Sequence, residues 1–216
     1  MHRTILDMPV MAAPFRWLSI VMLKILGWRM ENLPPDLPRC VVIIEPHTSN
    51  WDFPIGLFFG LVMRLKASWT AKHTMFRPPF GTFFKFLGGI PIERSHSHNL
   101  VHQLIEIVKS RDRIWIGITP EGTRKKVKAW KTGFYFIAVG AGVPIVLAYL
   151  DYKRKVGGFG PTLYPTGDIE ADFAKLREFY STITARHPER FTLPSIDPEK
   201  EREKKGPGDA APHAHV

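Results

Sequence analysis

Residues 41–52 constrain the fold of this chain more than any other stretch. Four β-branched apolar residues open it and are typical of a buried strand, and a turn with Pro46, His47 and several small polar residues follows. Asp52 stands just before Phe53-Pro54, where proline is tolerated in the first turn of a helix. Because α/β folds present chemical groups where a strand passes through a turn into a helix, this stretch predicts both a fold class and a site.

His47 and Asp52 are the candidate catalytic pair of this turn. They are five residues apart, so a regular helix separates them by roughly 140° and a strand places them on opposite faces. They converge only if the turn is irregular, which its composition allows. A carboxylate beside the imidazole then fixes one tautomer and leaves the other nitrogen to act as a general base on a hydroxyl or a water. The alternative is a turn histidine beside a helix-capping aspartate.

Strands and helices alternate along the rest of the chain, which predicts an α/β fold. We expect a mixed, mostly parallel central sheet with helices on both faces. Three parts are expected: an N-terminal apolar helix in residues 1–27, a catalytic α/β domain in residues 28–187, and a disordered polar tail in residues 188–216. The pattern predicts helices at 14–28, 53–66, 97–110, 133–141 and 169–185, further strands at 67–71, 113–118 and 143–149, and a hairpin through Gly157-Gly158.

The net charge of +10 indicates an anionic partner. The tail is nearly neutral, so the excess belongs to the folded part and fits nucleic acid, a phospholipid surface, or a phosphorylated or acidic carrier. A non-catalytic basic module that binds anionic lipid or nucleic acid is one alternative, but it gives His47 and Asp52 no task, and we expect no nucleic-acid partner because no such motif is recognisable. The single cysteine, Cys40, excludes an internal disulfide and fits a reducing compartment.

The first predicted helix begins at Pro14 and ends near Gly27. It is shorter than the roughly twenty residues a bilayer span needs, and no cleavable signal peptide is evident. Arg16, Ser19 and Lys24 mark a narrow polar face, which suits a helix that lies in a membrane interface; the alternative is a helix packed on the domain. The first reading predicts a peripheral protein on the cytoplasmic face of a membrane, the inner one in a bacterium.

Two more polar turns follow predicted strands. One offers Arg94, and the other offers Glu121, Gly122 and Arg124. Arginine forks bind phosphate bidentately, and a glycine lets the backbone approach an anion closely. One base with two arginines predicts a site for a phosphorylated alcohol, although for either arginine alone a surface salt bridge is the favoured interpretation.

The four motif blocks together resemble the glycerolipid acyltransferases, the 1-acylglycerol-3-phosphate acyltransferase family. The blocks are His47-Thr-Ser-Asn-Trp-Asp52, residues 88–94, Pro120-Glu-Gly-Thr-Arg124 and Val143-Pro-Ile-Val146. The resemblance implies that His47, helped by Asp52, deprotonates the acceptor hydroxyl, which attacks the acyl thioester without an acyl-enzyme. It also implies an acceptor site made of Arg94, Glu121, Gly122, Thr123 and Arg124, and an acyl-donor side at Val143 and Pro144.

The resemblance implies acyl-CoA or acyl carrier protein as donor and a lysophospholipid as acceptor. His96, His98 and His102 include an i, i+4 pair that could bind a metal, but no carboxylate or cysteine joins them in sequence, so we expect no metal site and no cofactor. Three departures from the family pattern, at Pro46, at Pro91 with Glu93, and at Thr119, indicate a divergent subgroup. An ornithine-type lyso-lipid is therefore an alternative acceptor, and a hydrolase that uses the same base on water is an alternative reaction. The lysines of residues 125–131 fit coenzyme A phosphates, an acidic carrier protein or lipid headgroups.

Overall fold

A computed structural model describes residues 9–92 and 97–197 of the chain. Within these residues, seven strands form one sheet, and six α-helices lie on its two sides. The strands are β1 (Arg29–Glu31), β2 (Arg39–Glu45), β3 (Ala67–Lys72), β4 (Gly89–Ile92), β5 (Ile114–Ile118), β6 (Ile145–Asp151) and β7 (Val156–Leu163). The helices are α1 (Pro9–Ile25), α2 (Asp52–Val62), α3 (Gly81–Phe86), α4 (Ser97–Lys109), α5 (Gly133–Ala141) and α6 (Ile169–Ser181).

The sheet has the order β1-β7-β6-β2-β5-β3-β4, with β2 at its centre. Its pairs are parallel except β6 with β7, and Val41 lies between Ile116 of β5 and Ile145 of β6. The mixed, mostly parallel sheet of the prediction is confirmed. Because β2, β5, β3 and β6 point the same way, the turns that follow them meet at one edge of the sheet.

Helices cover both faces, as predicted. Val41 and Ile43 of β2 are fully buried against α4, α5 and α6, in a core that includes Phe134 and Phe173. The alternate residue Val42 faces the other side, where α1, α2 and α3 lie. Burial of each such side chain contributes about 1.5–3 kcal/mol, which fixes the register of the strand because a one-residue slip would exchange the two faces.

Helix α1 packs on α2, and Arg16 and Ser19 of its polar face point inward, whereas Lys24 is exposed. Ser19 is buried, and Arg16 Nε donates to the carbonyl of Val62 at 3.1 Å. Leu23 is buried in a cluster with Phe59. The helix also begins at Pro9 and contains Pro14, so the prediction that Pro14 opens it is wrong; a proline inside a helix removes one backbone hydrogen bond but does not necessarily end it. The outward surface carries apolar side chains instead: Phe15, Trp17, Leu18, Ile20 and Ile25.

No helix of the described residues has both the length and the apolar character needed to span a bilayer.

The predicted hairpin is present between β6 and β7, but the prediction that it turns at Gly157-Gly158 is wrong. Gly157 and Gly158 lie inside β7, and the chain reverses before them, between Asp151 and Val156. Gly158 pairs with Glu31 of β1, a strand that the sequence reading missed, and a Cβ at Gly158 would collide with the carbonyl oxygen of Glu31. The glycine therefore permits close backbone approach rather than a reversal.

The segment that follows His187 is ordered where the structure describes it. It forms a 3₁₀ turn at Pro188–Arg190, and Trp130 Nε1 donates to the carbonyl of Thr192 at 2.7 Å. Trp130 also donates its backbone N–H to the carbonyl of Ser195 at 3.0 Å. The prediction of disorder from residue 188 is therefore wrong over residues 188–197, because tertiary hydrogen bonds hold a segment whose composition is polar. Residues 198–216 lie outside the described part of the chain.

Candidate active site

The turn after β2 brings His47 and Asp52 together. His47 Nδ1 lies 3.5 Å from Asp52 Oδ2, and Asp52 is the first residue of α2. The backbone N–H of Ser49 donates to the same carboxylate oxygen at 2.7 Å, which folds the turn back on the start of the helix. Asp52 therefore holds the turn that precedes it instead of capping the helix, and the irregular turn gives the two side chains the contact that regular structure would forbid.

Tyr152 is a further residue of this candidate site, and the sequence analysis did not identify it. Its hydroxyl donates to Asp52 Oδ1 at 2.5 Å, and the guanidinium of Arg186 lies 5.8 Å from the Tyr152 ring. Burial, followed by the bond to Asp52, raises the pKa of the Tyr152 phenol, so this group stays protonated and donates. Tyr152 directly follows β6, which lies beside β2; only the strand order places these two strand ends side by side.

His47 is suited to accept a proton. Burial lowers the pKa of His47 below its ordinary value, Arg124 lowers it further, and the charge of Asp52 opposes both. The imidazole is thus neutral at neutral pH. With Nδ1 directed to Asp52, the tautomer that fits is Nδ1–H, which leaves Nε2 as the proton acceptor.

Arg124 reaches the same turn from the next strand. It follows β5, and its Nε donates to the carbonyl of Ser49 at 3.2 Å. Its side chain is exposed and lines the same cavity as His47, together with Gly122 and Thr123. Gly122 has a φ of 64°, a left-handed conformation that glycine adopts without strain and that turns the loop toward the cavity. The structure thus brings the Arg124 loop and the His47 turn together at one edge of the sheet.

Glu121 is placed differently from the other residues of its motif. Its side chain is buried, it accepts a hydrogen bond from the backbone N–H of Thr192 at 2.9 Å, and it lies outside the lining of the cavity. Its close neighbour is Glu45, whose Oε1 faces the Glu121 backbone N–H at 3.5 Å. Burial raises the pKa of Glu121 to about 7. The expectation that Glu121 binds the acceptor directly is therefore at odds with its position.

Val143 and Pro144 lie at the far edge of the sheet. They precede β6, and the carbonyl of Pro144 accepts from the N–H of Val41 at 3.0 Å. His47 lies two residues beyond Glu45, which pairs with Tyr149 at the other end of β6, so the separation is roughly 25 Å at 3.3 Å per residue. Val143 and Pro144 therefore lie just before the start of β6, too far from His47 to contact the reacting groups. Arg94 lies outside the described residues.

An apolar cavity of about 670 Å³ opens beside His47. It lies between α2 and the sheet, and it runs from the His47 turn toward Trp115 and Leu65. Trp115 pairs with Cys40, seven residues before His47, so the cavity is roughly 20 Å long. Gly56 and Gly60 of α2 line it, and a Cβ at either position would meet no atom within 4 Å. Other lining residues are Val42, Ile44, Phe53, Leu57, Met75, Phe84, Leu87, Ala148, Leu150 and Phe159.

No cluster of three or more His, Cys, Asp or Glu side chains within residues 9–92 and 97–197 is arranged to hold a metal ion. His96, part of the histidine group in and before α4, falls outside this part of the chain.

Known proteins are similar to this chain in sequence and in fold. The 1-acyl-sn-glycerol-3-phosphate acyltransferase of Haemophilus influenzae is 29% identical over 129 residues, 56% of this chain and 52% of that protein. The Escherichia coli enzyme of the same name is 29% identical over 111 residues, 49% of this chain and 44% of that protein. This chain therefore spans about half the length of these relatives.

The fold is also that of a solved structure, the 1-acyl-sn-glycerophosphate (LPA) acyltransferase PlsC from Thermotoga maritima. The two share 16% sequence identity with a TM-score of 0.56, over 82% of this chain and 81% of that one. At this identity the likeness concerns the fold alone. The family described as Acyltransferase matches residues 28–150, more than half of the chain, and these residues hold the His47 turn, the Arg124 loop and five of the strands of the sheet that carries them. The chain belongs to the acyltransferase family.

Proposed function

We propose that this protein is an O-acyltransferase that moves a fatty acyl group from a thioester to the hydroxyl of a lysophospholipid such as 1-acylglycerol-3-phosphate. The observation that carries the proposal is a His47–Asp52 pair at the mouth of an apolar cavity, with Arg124 beside it. The pair offers a base, the cavity offers room for an acyl chain, and the arginine offers a ligand for phosphate. The names of the relatives support the same reaction.

The chemistry requires only a base and correct positioning. Nε2 of His47 takes the proton of the acceptor hydroxyl while the hydroxyl oxygen attacks the thioester carbonyl carbon. The carbon–sulfur bond then breaks, and the imidazolium returns the proton to the departing thiolate. Asp52, held by Ser49 and Tyr152, stabilises the imidazolium that forms between these two steps.

The cavity fits the acyl chain of one of the two substrates. An extended backbone advances about 3.3–3.6 Å for every three bonds, so a length of roughly 20 Å corresponds to a chain of roughly 16–18 carbons. The cavity walls are mainly apolar, and the carbonyl that reacts must lie at the open end, where His47 stands.

The exposed groups support the proposed donors and a position at a membrane surface. Lys125, Lys126, Lys128 and Lys131 are exposed next to Arg124, and they match the phosphates of coenzyme A or an acidic carrier protein. Two outward apolar surfaces, on α1 and around α3, carry exposed aromatic residues that suit a peripheral position on a bilayer. The surface around α3 consists of Met75, Phe80 and Phe83, flanked by exposed Arg77 and Lys85.

The test is acyl transfer by purified protein, with product identified by mass spectrometry. We expect palmitoyl-CoA and 1-acylglycerol-3-phosphate to give the diacyl product, and His47→Ala to lower the rate about 10²–10⁴-fold without unfolding the protein. Arg124→Gln should raise the KM for the acceptor more than that for the donor, with partial rescue by Arg124→Lys. An unaffected His47→Ala protein would refute the mechanism, and release of free fatty acid without acceptor would indicate a hydrolase. If a diacyl product forms only from an ornithine-type lyso-lipid, that lipid is the acceptor in place of 1-acylglycerol-3-phosphate.

A further inference from the structure

Two buried carboxyl groups face each other behind the active site. Glu45 is the last residue of β2, and Glu121 lies three residues after the end of β5. The two residues are 1% and 2% exposed. Glu45 shares its face of the sheet with Val41 and Ile43, so the pair lies on the α5–α6 side, opposite the cavity. The Glu45 carboxyl adjoins the Glu121 backbone, since Oε1 of Glu45 lies 3.5 Å from the Glu121 nitrogen.

The hydrogen bonds around the pair leave one oxygen of each carboxyl over. Oε1 of Glu45 accepts from the Glu121 N–H, and Oε1 of Glu121 accepts from the Thr192 N–H. Oε2 of each is buried without a partner. Two neighbouring carboxyl groups in a buried site disfavour each other's ionisation, and one proton held between them supplies the missing donor.

The groups around the pair add no positive charge. Tyr180 packs nearby, but its hydroxyl donates to the carbonyls of Ile43 and Ala148. A further ionisable neighbour is Asp52, whose negative charge adds to the effect of burial and raises the pKa of both carboxyls. Within residues 9–92 and 97–197, no lysine or arginine forms an ion pair with either glutamate.

We propose that Glu45 and Glu121 share one proton and that this bond positions the Arg124 loop against the His47 turn. Glu45 lies two residues before His47, and Glu121 lies three residues before Arg124, so the bond joins the two loops from behind the sheet. The contact of Arg124 Nε with Ser49 O joins them from the cavity side. Glu45 is thus a positioning residue, and the inference rests on the proposed function.

The arrangement has a consequence for pH. Burial raises the pKa of both carboxyls, that of Glu121 to about 7, so the folded protein keeps a proton that the unfolded chain releases. Stability from the pair is therefore fully present below the ordinary glutamate pKa and is lost as pH rises through the raised one. Above that point two carboxylates repel each other, and the Arg124 loop loses its rear support.

The test compares Glu45→Gln with Glu45→Ala, with Glu106→Gln on the exposed surface of α4 as the matched control. A glutamine mimics the protonated acid because it donates to Glu121 and cannot ionise. We expect Glu45→Gln to stay active at pH 7. Its activity should fall less at alkaline pH than that of the wild type, because one ionisation of the pair is removed. Glu45→Ala should lose about tenfold or more in kcat, with a higher KM for the phosphorylated acceptor. Identical pH profiles of Glu45→Gln and the wild type would overturn the proposal, as would full activity of Glu45→Ala.

A measurement without turnover separates this inference from the proposed function. The melting temperature of the wild type should fall between pH 5 and pH 8 more than that of Glu45→Gln, and the same difference should appear in the inactive His47→Ala background. If Glu45→Gln fails to fold, Glu121→Gln takes its place, since it leaves one ionisable acid in the pair. A melting curve that responds to pH equally in wild type and variant overturns the shared proton whatever the enzyme acylates. If no protein transfers an acyl group but the melting temperatures behave as predicted, the proposed function is refuted and the shared proton is supported.

Discussion

Tyr152→Phe removes a single hydroxyl from the support of Asp52 and leaves the ring in place. The ring packs edge-to-face on Trp28 at 5.0 Å and lies beside Arg186, and phenylalanine keeps the packing contact with Trp28. The lost bond is a 2.5 Å hydrogen bond to a carboxylate that is 3% exposed, so water cannot easily replace it. A hydrogen bond to a charged group contributes about 1.5–3 kcal/mol to stability.

This magnitude sets the expected readings. For a protein of this size each 1 kcal/mol changes the melting temperature by about 2–4 °C, so Tyr152→Phe should melt about 3–12 °C lower. If half of the lost free energy also weakens the positioning of His47 in the transition state, kcat falls roughly four- to thirteenfold. The assay is thermal unfolding by circular dichroism with kcat measured at saturating donor and acceptor.

The matched control is Tyr164→Phe, which removes the same hydroxyl from a side chain that is 65% exposed. We expect it to melt and turn over like the wild type. If Tyr152→Phe behaves like this control, Asp52 is held by the Ser49 N–H alone, and the reasoning that makes Tyr152 a positioning residue fails.

Three other perturbations test the site and the helix that packs beside it. The acid limb of the rate profile should have its midpoint below pH 6.5, because burial and Arg124 lower the pKa of His47, and Arg124→Gln should move that limb to higher pH in a kcat/KM titration. Gly60→Phe should shorten the longest acyl chain accepted in a donor series, because the added ring projects into the cavity, while Gly60→Ala keeps the full range and gains about 1 kcal/mol of helix stability; unchanged selectivity would place the chain elsewhere. Trp17→Ser with Ile25→Ser should weaken liposome co-sedimentation without lowering the melting temperature, since both side chains are exposed; equal sedimentation would leave the surface around α3 as the contact.

Residues 1–27 are harder to remove than their sequence indicates. The apolar segment ahead of the first motif-bearing strand reads as a detachable anchor, and on that reading its deletion leaves the sheet intact. In the structure Leu23 is buried against Phe59 and Val62 of α2. Loss of cover for three such side chains costs about 5–9 kcal/mol, comparable to the whole stability of a domain. We expect the truncated protein to be unfolded by circular dichroism, and a cooperative melt near that of the wild type would show that α1 is dispensable.

Local residue chemistry was enough to predict the features that depend on neighbours along the chain. The β-branched run of residues 41–44, the polar turn with His47 and Asp52, and the loop with Gly122 and Arg124 each mark a strand end through local residue chemistry. Alternation of such strands with helices then leads to a parallel sheet, and a parallel sheet brings its strand ends to one edge. The meeting of His47 with Arg124 was predictable for this reason.

Local patterns do not predict which side chains face the cavity. That depends on the order of the strands and on the side of the sheet to which each alternate strand residue points. Tyr152 reaches Asp52 because β6 lies beside β2, a neighbour relation that no local pattern encodes. Glu121 follows the strand that leads into the site, yet its side chain turns to the opposite face of the sheet and meets Glu45. The polar stripe of α1 reads as solvent-facing, yet Arg16 and Ser19 point inward, since the carbonyl of Val62 at the end of α2 provides a partner for the guanidinium. In each case the deciding contact joins residues distant in sequence, and hydrogen bonding or burial at that contact outweighs the local preference.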